Sequence, residues 1–180
     1  MSTHGPAWQT GRFPSFRDSA YRASFIAVAE LAAMSERRVD RLVNPLVSGL
    51  PPFLAAEDGA GSGFMIAQYT AASLAGDNRR LAAPASLDGG VTSGLQEDHL
   101  SHATPGALKL LKIIDNAETV LAIELLAASQ AYELQRDADG RAAQTDAAYR
   151  RIRAVIPHYR DDRPLGADIE TAREMLARPP

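Results

Sequence analysis

The stretch Val120-Leu121-Ala122-Ile123-Glu124-Leu125-Leu126-Ala127-Ala128 constrains this chain more than any other, because it is apolar almost all round the helix that it predicts. A helix apolar on every side must be surrounded. The run lies inside a longer predicted helix, from Pro105 to Arg136, whose proline sits in the first turn, where its missing N–H is not needed. About 30 residues at 1.5 Å rise make a rod of roughly 45 Å, long for a chain of 180 residues to cover. Glu124 interrupts the run, and it is short of the about 20 residues that span a bilayer. The expectation is a helical protein that is not a monomer, with part of the cover on this helix supplied by other subunits.

Four more helices are predicted. One runs from Asp18 to Leu42, with Phe25, Ala29, Ala32, Val39 and Leu42 on one stripe, and Asn44-Pro45 stops it. A second covers Phe64 to Ala82, and two shorter ones cover Arg141 to Val155 and Ala167 to Ala177. Strand-like alternation is missing, so the fold class is all-α. Residues 1–17 are expected to form a polar, Gly- and Pro-bearing N-terminal arm, and 18–180 a single helical domain. Pro51, Pro52, Gly59, Gly61 and Gly63 mark one long loop, and Pro84 to Gly94 another.

The formal charge of −3 gives no electrostatic footprint for nucleic acid or an anionic membrane. The arginines sit among acids, as in Ser35-Glu36-Arg37-Arg38-Val39-Asp40-Arg41, which reads as a solvated helix face. No cysteine is present, which excludes disulfides, thiolate nucleophiles and thiolate metal sites. Met1 to Gln9 lacks a basic-then-apolar leader pattern, and a cytoplasmic location is expected.

Gln96-Glu97-Asp98-His99 with His102 is the densest polar cluster beside an apolar element. It admits three readings: a metal site on His99 and His102, which lacks a further ligand nearby; a positioned acid, base or substrate anchor at Glu97; or Asp98 and Ser101 capping the long helix. Gly61-Ser62-Gly63 fits a turn leading into a helix better than a nucleophile elbow or a phosphate loop. Met65 and Gln68 follow one turn apart, and Trp8 and Phe13 lie in the arm.

The order of segments resembles the C-terminal part of histidine and aromatic amino-acid ammonia-lyases. Ala29-Glu30-Leu31, Ser35-Glu36-Arg37-Arg38 and Leu42-Val43-Asn44-Pro45 are followed by Ser48-Gly49-Leu50-Pro51-Pro52-Phe53-Leu54. Ser62-Gly63-Phe64-Met65-Ile66-Ala67-Gln68-Tyr69-Thr70-Ala71-Ala72 comes next, then Pro84-Ala85-Ser86, Thr92-Ser93 and Gln96-Glu97-Asp98-His99. Thr119 to Leu126 and Asp162-Arg163-Pro164-Leu165 with Asp168-Ile169-Glu170 close the series.

The resemblance implies long antiparallel helices forming part of an oligomeric helix bundle. It also implies elimination of ammonia from histidine, phenylalanine or tyrosine, or transfer of the amine to the β-carbon. The family's electrophile, a methylidene-imidazolone (MIO), is made from Ala-Ser-Gly, and this chain has none. Also absent are the tyrosine loop that supplies the base and the Tyr-Ser-Leu-Arg segment that holds the substrate carboxylate. No cofactor is therefore expected on this chain, and no activity from it alone.

By the same resemblance, Glu97 matches the glutamate that faces the substrate in the histidine enzymes, and is the catalytic candidate. Met65, Gln96 and Phe13 are the candidate substrate-binding residues, although Gly-Asn-Phe-His has become Gly11-Arg12-Phe13-Pro14. A carboxylate at Glu97 favours an imidazole over a phenyl ring. Gly76-Asp77-Asn78, Ala83-Pro84 and Thr92-Ser93-Gly94-Leu95 depart from the family's Ser-Glu-Asn, His-Pro and Thr-Ser-Ala-Asn. Two expectations follow. One is a small subunit of a split lyase, whose partner chain brings Ala-Ser-Gly, the tyrosine and the arginine. The other is a catalytically empty scaffold or regulatory subunit.

Overall fold

The computed structural model describes residues 15–55, 61–88, 90–96, 102–135 and 141–178. Among them the fold is all-α: α1 (Ser15–Val43), the short α2 (Pro45–Ser48), α3 (Met65–Leu81), α4 (Ala103–Leu134), α5 (Ala143–Arg153) and α6 (Gly166–Ala177), with short 3-10 turns between. The helix expected from Asp18 begins at Ser15, within the proposed 1–17 arm, and residues 1–14 lie outside the described residues.

Each boundary has a local cause. The Asn44 side chain accepts the Leu46 N–H at 3.0 Å, and Pro45 opens α2. Gly49, at φ 68°, closes α2 in the left-handed region by donating its N–H to the Pro45 carbonyl. The long α4 starts without a side-chain cap, at His102. Asp98 and Ser101, expected to cap it, lie outside the described residues.

α4 is the axis of the fold, and α1, α3 and α6 pack along it. A Cβ on Gly106 would stand 3.5 Å from the Phe25 ring, and further along Ser35 donates to Glu124 at 2.5 Å. The two longest helices therefore run side by side in the same direction. α3 returns antiparallel to both, with Gln68 on Asp40 at 2.8 Å near one end and Asn116 donating to Asn78 at 2.9 Å near the other. Its buried face, Ala67, Ala71, Ala75 and Asn78, repeats at helical spacing, and the small side chains let the backbones approach closely.

The burial pattern bears on two expectations. Val120, Ala122, Ile123, Leu126 and Ala127 are buried, and within Val120–Ala128 only Ala128 is exposed. The buried side of the apolar run is thus covered by α1, α3 and α6 of the same chain, while Leu121, Glu124 and Leu125 remain partly exposed. Large apolar side chains stand exposed elsewhere: Ile26 and Met34 on α1, Leu108 and Leu111 on α4. The run Ser35–Arg41 is also only half a solvated face. Ser35, Glu36 and Val39 continue the buried stripe of Ala29 and Ala32, while Arg37, Arg38 and Arg41 face outwards. The buried Glu36 carboxylate is neutralised by the neighbouring Arg37, and Arg38 joins Ser35 on Glu124.

Candidate functional site

The best-defined construction in the fold is the turn that delivers the chain into α3, where Met65 is the first helical residue. It begins with strain. Phe53 and Leu54 both have positive φ, 53° and 56°, a region that residues with a Cβ seldom occupy. Such backbone persists where its surroundings over-determine it. Here the Phe53 carbonyl accepts the Phe64 N–H at 2.8 Å, and Leu54 is wholly buried. Gly63 lies directly over that carbonyl: a Cβ there would be 2.3 Å from the Phe53 oxygen, so only glycine fits.

The tail of the chain grips the other side of this turn. Asp162, in the segment between α5 and α6, accepts the N–H groups of Ser62 at 2.6 Å and Gly63 at 2.9 Å. Those two bonds hold its carboxyl below the usual aspartate range. Tyr159 is buried behind it, its ring edge-on to Phe64 with centroids 5.3 Å apart. Its hydroxyl reaches Asp162 at 3.3 Å and accepts the Arg163 N–H at 3.2 Å, and burial pushes the phenol up from its ordinary value. Buried Gln130 on α4 completes the frame, donating to the Tyr159 carbonyl at 2.8 Å and the Leu54 carbonyl at 3.4 Å. One side chain thus ties both walls of the turn to the central helix.

Beside the frame lies a mostly apolar cleft between α3 and the start of α6, with Ile66, Thr70, Leu165 and Ile169 among its walls. Arg163 is pinned at its rim by Asp168, 2.6 Å away.

Of the four site residues expected from sequence, two are described. Met65 is half-buried at the head of α3. Gln96 is exposed, ending the 3-10 turn Ser93–Leu95, with its N–H on the Ser93 carbonyl at 3.2 Å. Glu97 and Phe13 lie outside the described residues, as does His99. Among the described residues, no group of three or more His, Asp or Glu side chains is placed to hold a metal ion. The Asp162–Tyr159–Gln130 frame was not read from the sequence, although Gly61-Ser62-Gly63 and Asp162 were both singled out there. Their separation of about a hundred residues hid the link.

The residues present do not themselves form a methylidene-imidazolone. The Ala-Ser pairs beginning at 23, 72, 85 and 128 are followed by Phe25, Leu74, Leu87 and Gln130 rather than glycine. Those at 23, 72 and 128 are also locked into the hydrogen-bonded backbones of α1, α3 and α4.

Comparisons with known proteins place this architecture. The family model described as aromatic amino acid lyase matches residues 19–154. The chain is 51% identical over 152 residues to a histidine ammonia-lyase of Natranaerobius thermophilus, covering 84% of this chain and 30% of that protein. Among solved structures, a histidine ammonia-lyase from Trypanosoma cruzi superposes with a TM-score of 0.83 at 39% identity, over 89% of this chain and 32% of that one. A tyrosine aminomutase from Streptomyces globisporus gives a TM-score of 0.81 at 33% identity, over 89% and 31%. The chain therefore spans about a third of the length of the relatives it matches. In sequence over most of its length, and in the packing of its helices, the chain belongs to the aromatic amino acid lyase family.

Proposed function

We propose that this chain supplies the C-terminal helical part of an amino-acid ammonia-lyase or aminomutase active centre in a hetero-oligomer, with the Ala-Ser-Gly cofactor tripeptide on a partner chain. The observation that carries the reading is a contrast. The pocket-side segments from Met65 to Glu97 are retained, the first of them in a rigid frame, while no Ala-Ser-Gly exists among the 180 residues. The exposed Ile26 and Met34 on α1, and Leu108 and Leu111 one turn apart on α4, are apolar surface available to a partner.

In this reading Met65 lines the substrate pocket, and the Glu97 carboxylate hydrogen-bonds the substrate's ring nitrogen. That selects an imidazole such as histidine over a phenyl ring, because a phenyl ring offers no donor and leaves a carboxylate unpaired. The partner's cofactor supplies the electrophile that activates the amine as a leaving group. This chain's part is to bind and orient.

Co-expression with an Ala-Ser-Gly-bearing lyase chain, followed by MIO absorbance and an ammonia-release assay with histidine, tests the proposal. Glu97→Gln should lower kcat/KM by roughly 10- to 100-fold, the scale of one hydrogen bond to a charged group. Failure to form a complex, or no MIO absorbance in it, overturns the reading.

A second reading, a catalytically empty scaffold, is favoured by the departures at Gly76 and Ala83. A Cβ on Gly76 would meet nothing nearer than the Arg80 guanidinium at 3.9 Å, and Ala83 is exposed, so packing did not demand either change. A complex whose activity ignores Glu97→Gln supports this alternative.

A further inference from the structure

We propose that Asp162 is a positioning residue: backed by Tyr159, it fixes the Ser62–Gly63 turn and thereby the direction in which Met65 is presented to the substrate pocket. The role of Met65 in this statement rests on the functional reading above.

The geometry is specific. Both carboxylate oxygens are used, Oδ2 on the Ser62 N–H and Oδ1 on the Gly63 N–H, and these two amides lie just before the first turn of α3. Close approach requires glycine at 63 and leaves little room at 61. A Cβ on Gly61 would lie 3.2 Å from Asp162 Oδ1, and one on Gly63 would strike the Phe53 carbonyl. The turn is therefore clamped between two fixed bodies: the strained Phe53–Leu54 corner, anchored by Gln130, and the Asp162 carboxylate, anchored by Tyr159. Met65 follows two residues later, where the backbone direction set by the turn determines where its side chain points.

Asp162 itself is exposed, whereas Tyr159 is buried in the main core. An exposed carboxylate accepting two N–H bonds contributes little to global stability, because water replaces it at modest cost. Its consequence is local. Without it the two amides turn to solvent, and the head of α3 gains freedom at a point where no side-chain cap exists. The effect belongs to the position of Met65, not to the survival of the fold.

The test uses the full chain, labelled with 13C at the methionine methyls, and three variants: Asp162→Ala, Asp162→Asn and the milder Tyr159→Phe. In Asp162→Ala, amide exchange at Ser62 and Gly63 should quicken about tenfold or more while the Ile123 amide in the core is unchanged. The Met65 methyl resonance should move or broaden, and that of Met34 on α1 should stay in place. Tyr159→Phe should give a smaller change of the same pattern. An unmoved Met65 methyl, or unchanged protection of Ser62 and Gly63, overturns the proposal without reference to catalysis.

In the complex with the cofactor-bearing partner, Asp162→Ala should raise KM about fivefold with kcat less affected, since a looser pocket weakens binding. A purely structural role would instead lower kcat through the active fraction and leave KM alone. The effect should vanish on a Met65→Ala background, because a residue that acts through Met65 has nothing left to position. Independent, additive effects overturn the proposal. If the wild-type complex has no lyase activity, the functional reading fails, while the methyl and exchange measurements still decide whether Asp162 positions Met65.

Discussion

Gly63 and Gly49 share a left-handed backbone, φ 54° and 68°, yet differ in what a side chain there would meet, and this makes a controlled comparison. At Gly49 nothing lies within 4 Å of an added Cβ, so Gly49→Ala costs only the conformational penalty, about 1 to 2 kcal/mol. At Gly63 the same penalty applies, and in addition the Cβ would fall 2.3 Å from the Phe53 oxygen and 3.0 Å from the Ala55 nitrogen, both backbone atoms that have no flexible end to swing away. Relief requires lengthening or breaking the Phe64 N–H bond to Phe53, worth about 1 kcal/mol net, and shifting a corner that already carries two strained residues, at about 1 kcal/mol more. Gly63→Ala should therefore cost about 3 to 4 kcal/mol in all. For a chain of this size that corresponds to a fall in Tm of roughly 6 to 16 °C, against 2 to 8 °C for Gly49→Ala. Urea unfolding followed by far-ultraviolet circular dichroism, with both variants and the wild type measured together, reads the difference directly. Equal losses for the two glycines would refute the claim that the Phe53 carbonyl, rather than backbone conformation alone, dictates glycine at 63.

Two other perturbations examine separate parts of the structure. Asn116→Leu removes the donor to buried Asn78 and leaves its amide oxygen unpaired between α3 and α4; a loss of about 1 to 3 kcal/mol is expected in the same unfolding assay, and a neutral result would show the pair to be dispensable. The Asp162 clamp should also be sensitive to acid in one direction. Its folded value lies below the ordinary aspartate value, so the clamp is fully present above about pH 4 and is lost as pH falls through that lower folded value. The Ser62 and Gly63 amide shifts should titrate together there and stay flat in Asp162→Asn. A midpoint at or above the ordinary aspartate value contradicts the geometry.

Much of the helical framework was legible because helix signals are local. The predicted helix Phe64–Ala82 is found as Met65–Leu81, and Pro105–Arg136 as Ala103–Leu134. The stripe of Phe25, Ala29, Ala32 and Val39 is buried as its spacing requires. Asn44-Pro45 ends α1 for the reason that any helix stops before proline. Family membership was equally legible, since it rests on the order of short motifs and needs no coordinates.

What partners each surface was not legible. The apolar run of α4 announced that it must be covered, but periodicity carries no information on which elements cover it; α1, α3 and α6 do so because α4 lies at the centre of the packing. Glu36 looked solvated among charges because a helix wheel gives faces, not neighbours, and only the position of α1 in the bundle decides which face is inside. The candidate site divides in the same way. The sequence by itself determined the helices, the absence of Ala-Ser-Gly and the glycines around Ser62. Only the tertiary structure decided that Asp162, about a hundred residues away, would close on those glycines with Tyr159 and Gln130 behind it. A hydrogen bond between distant residues depends on loop conformations and packing that no local pattern encodes.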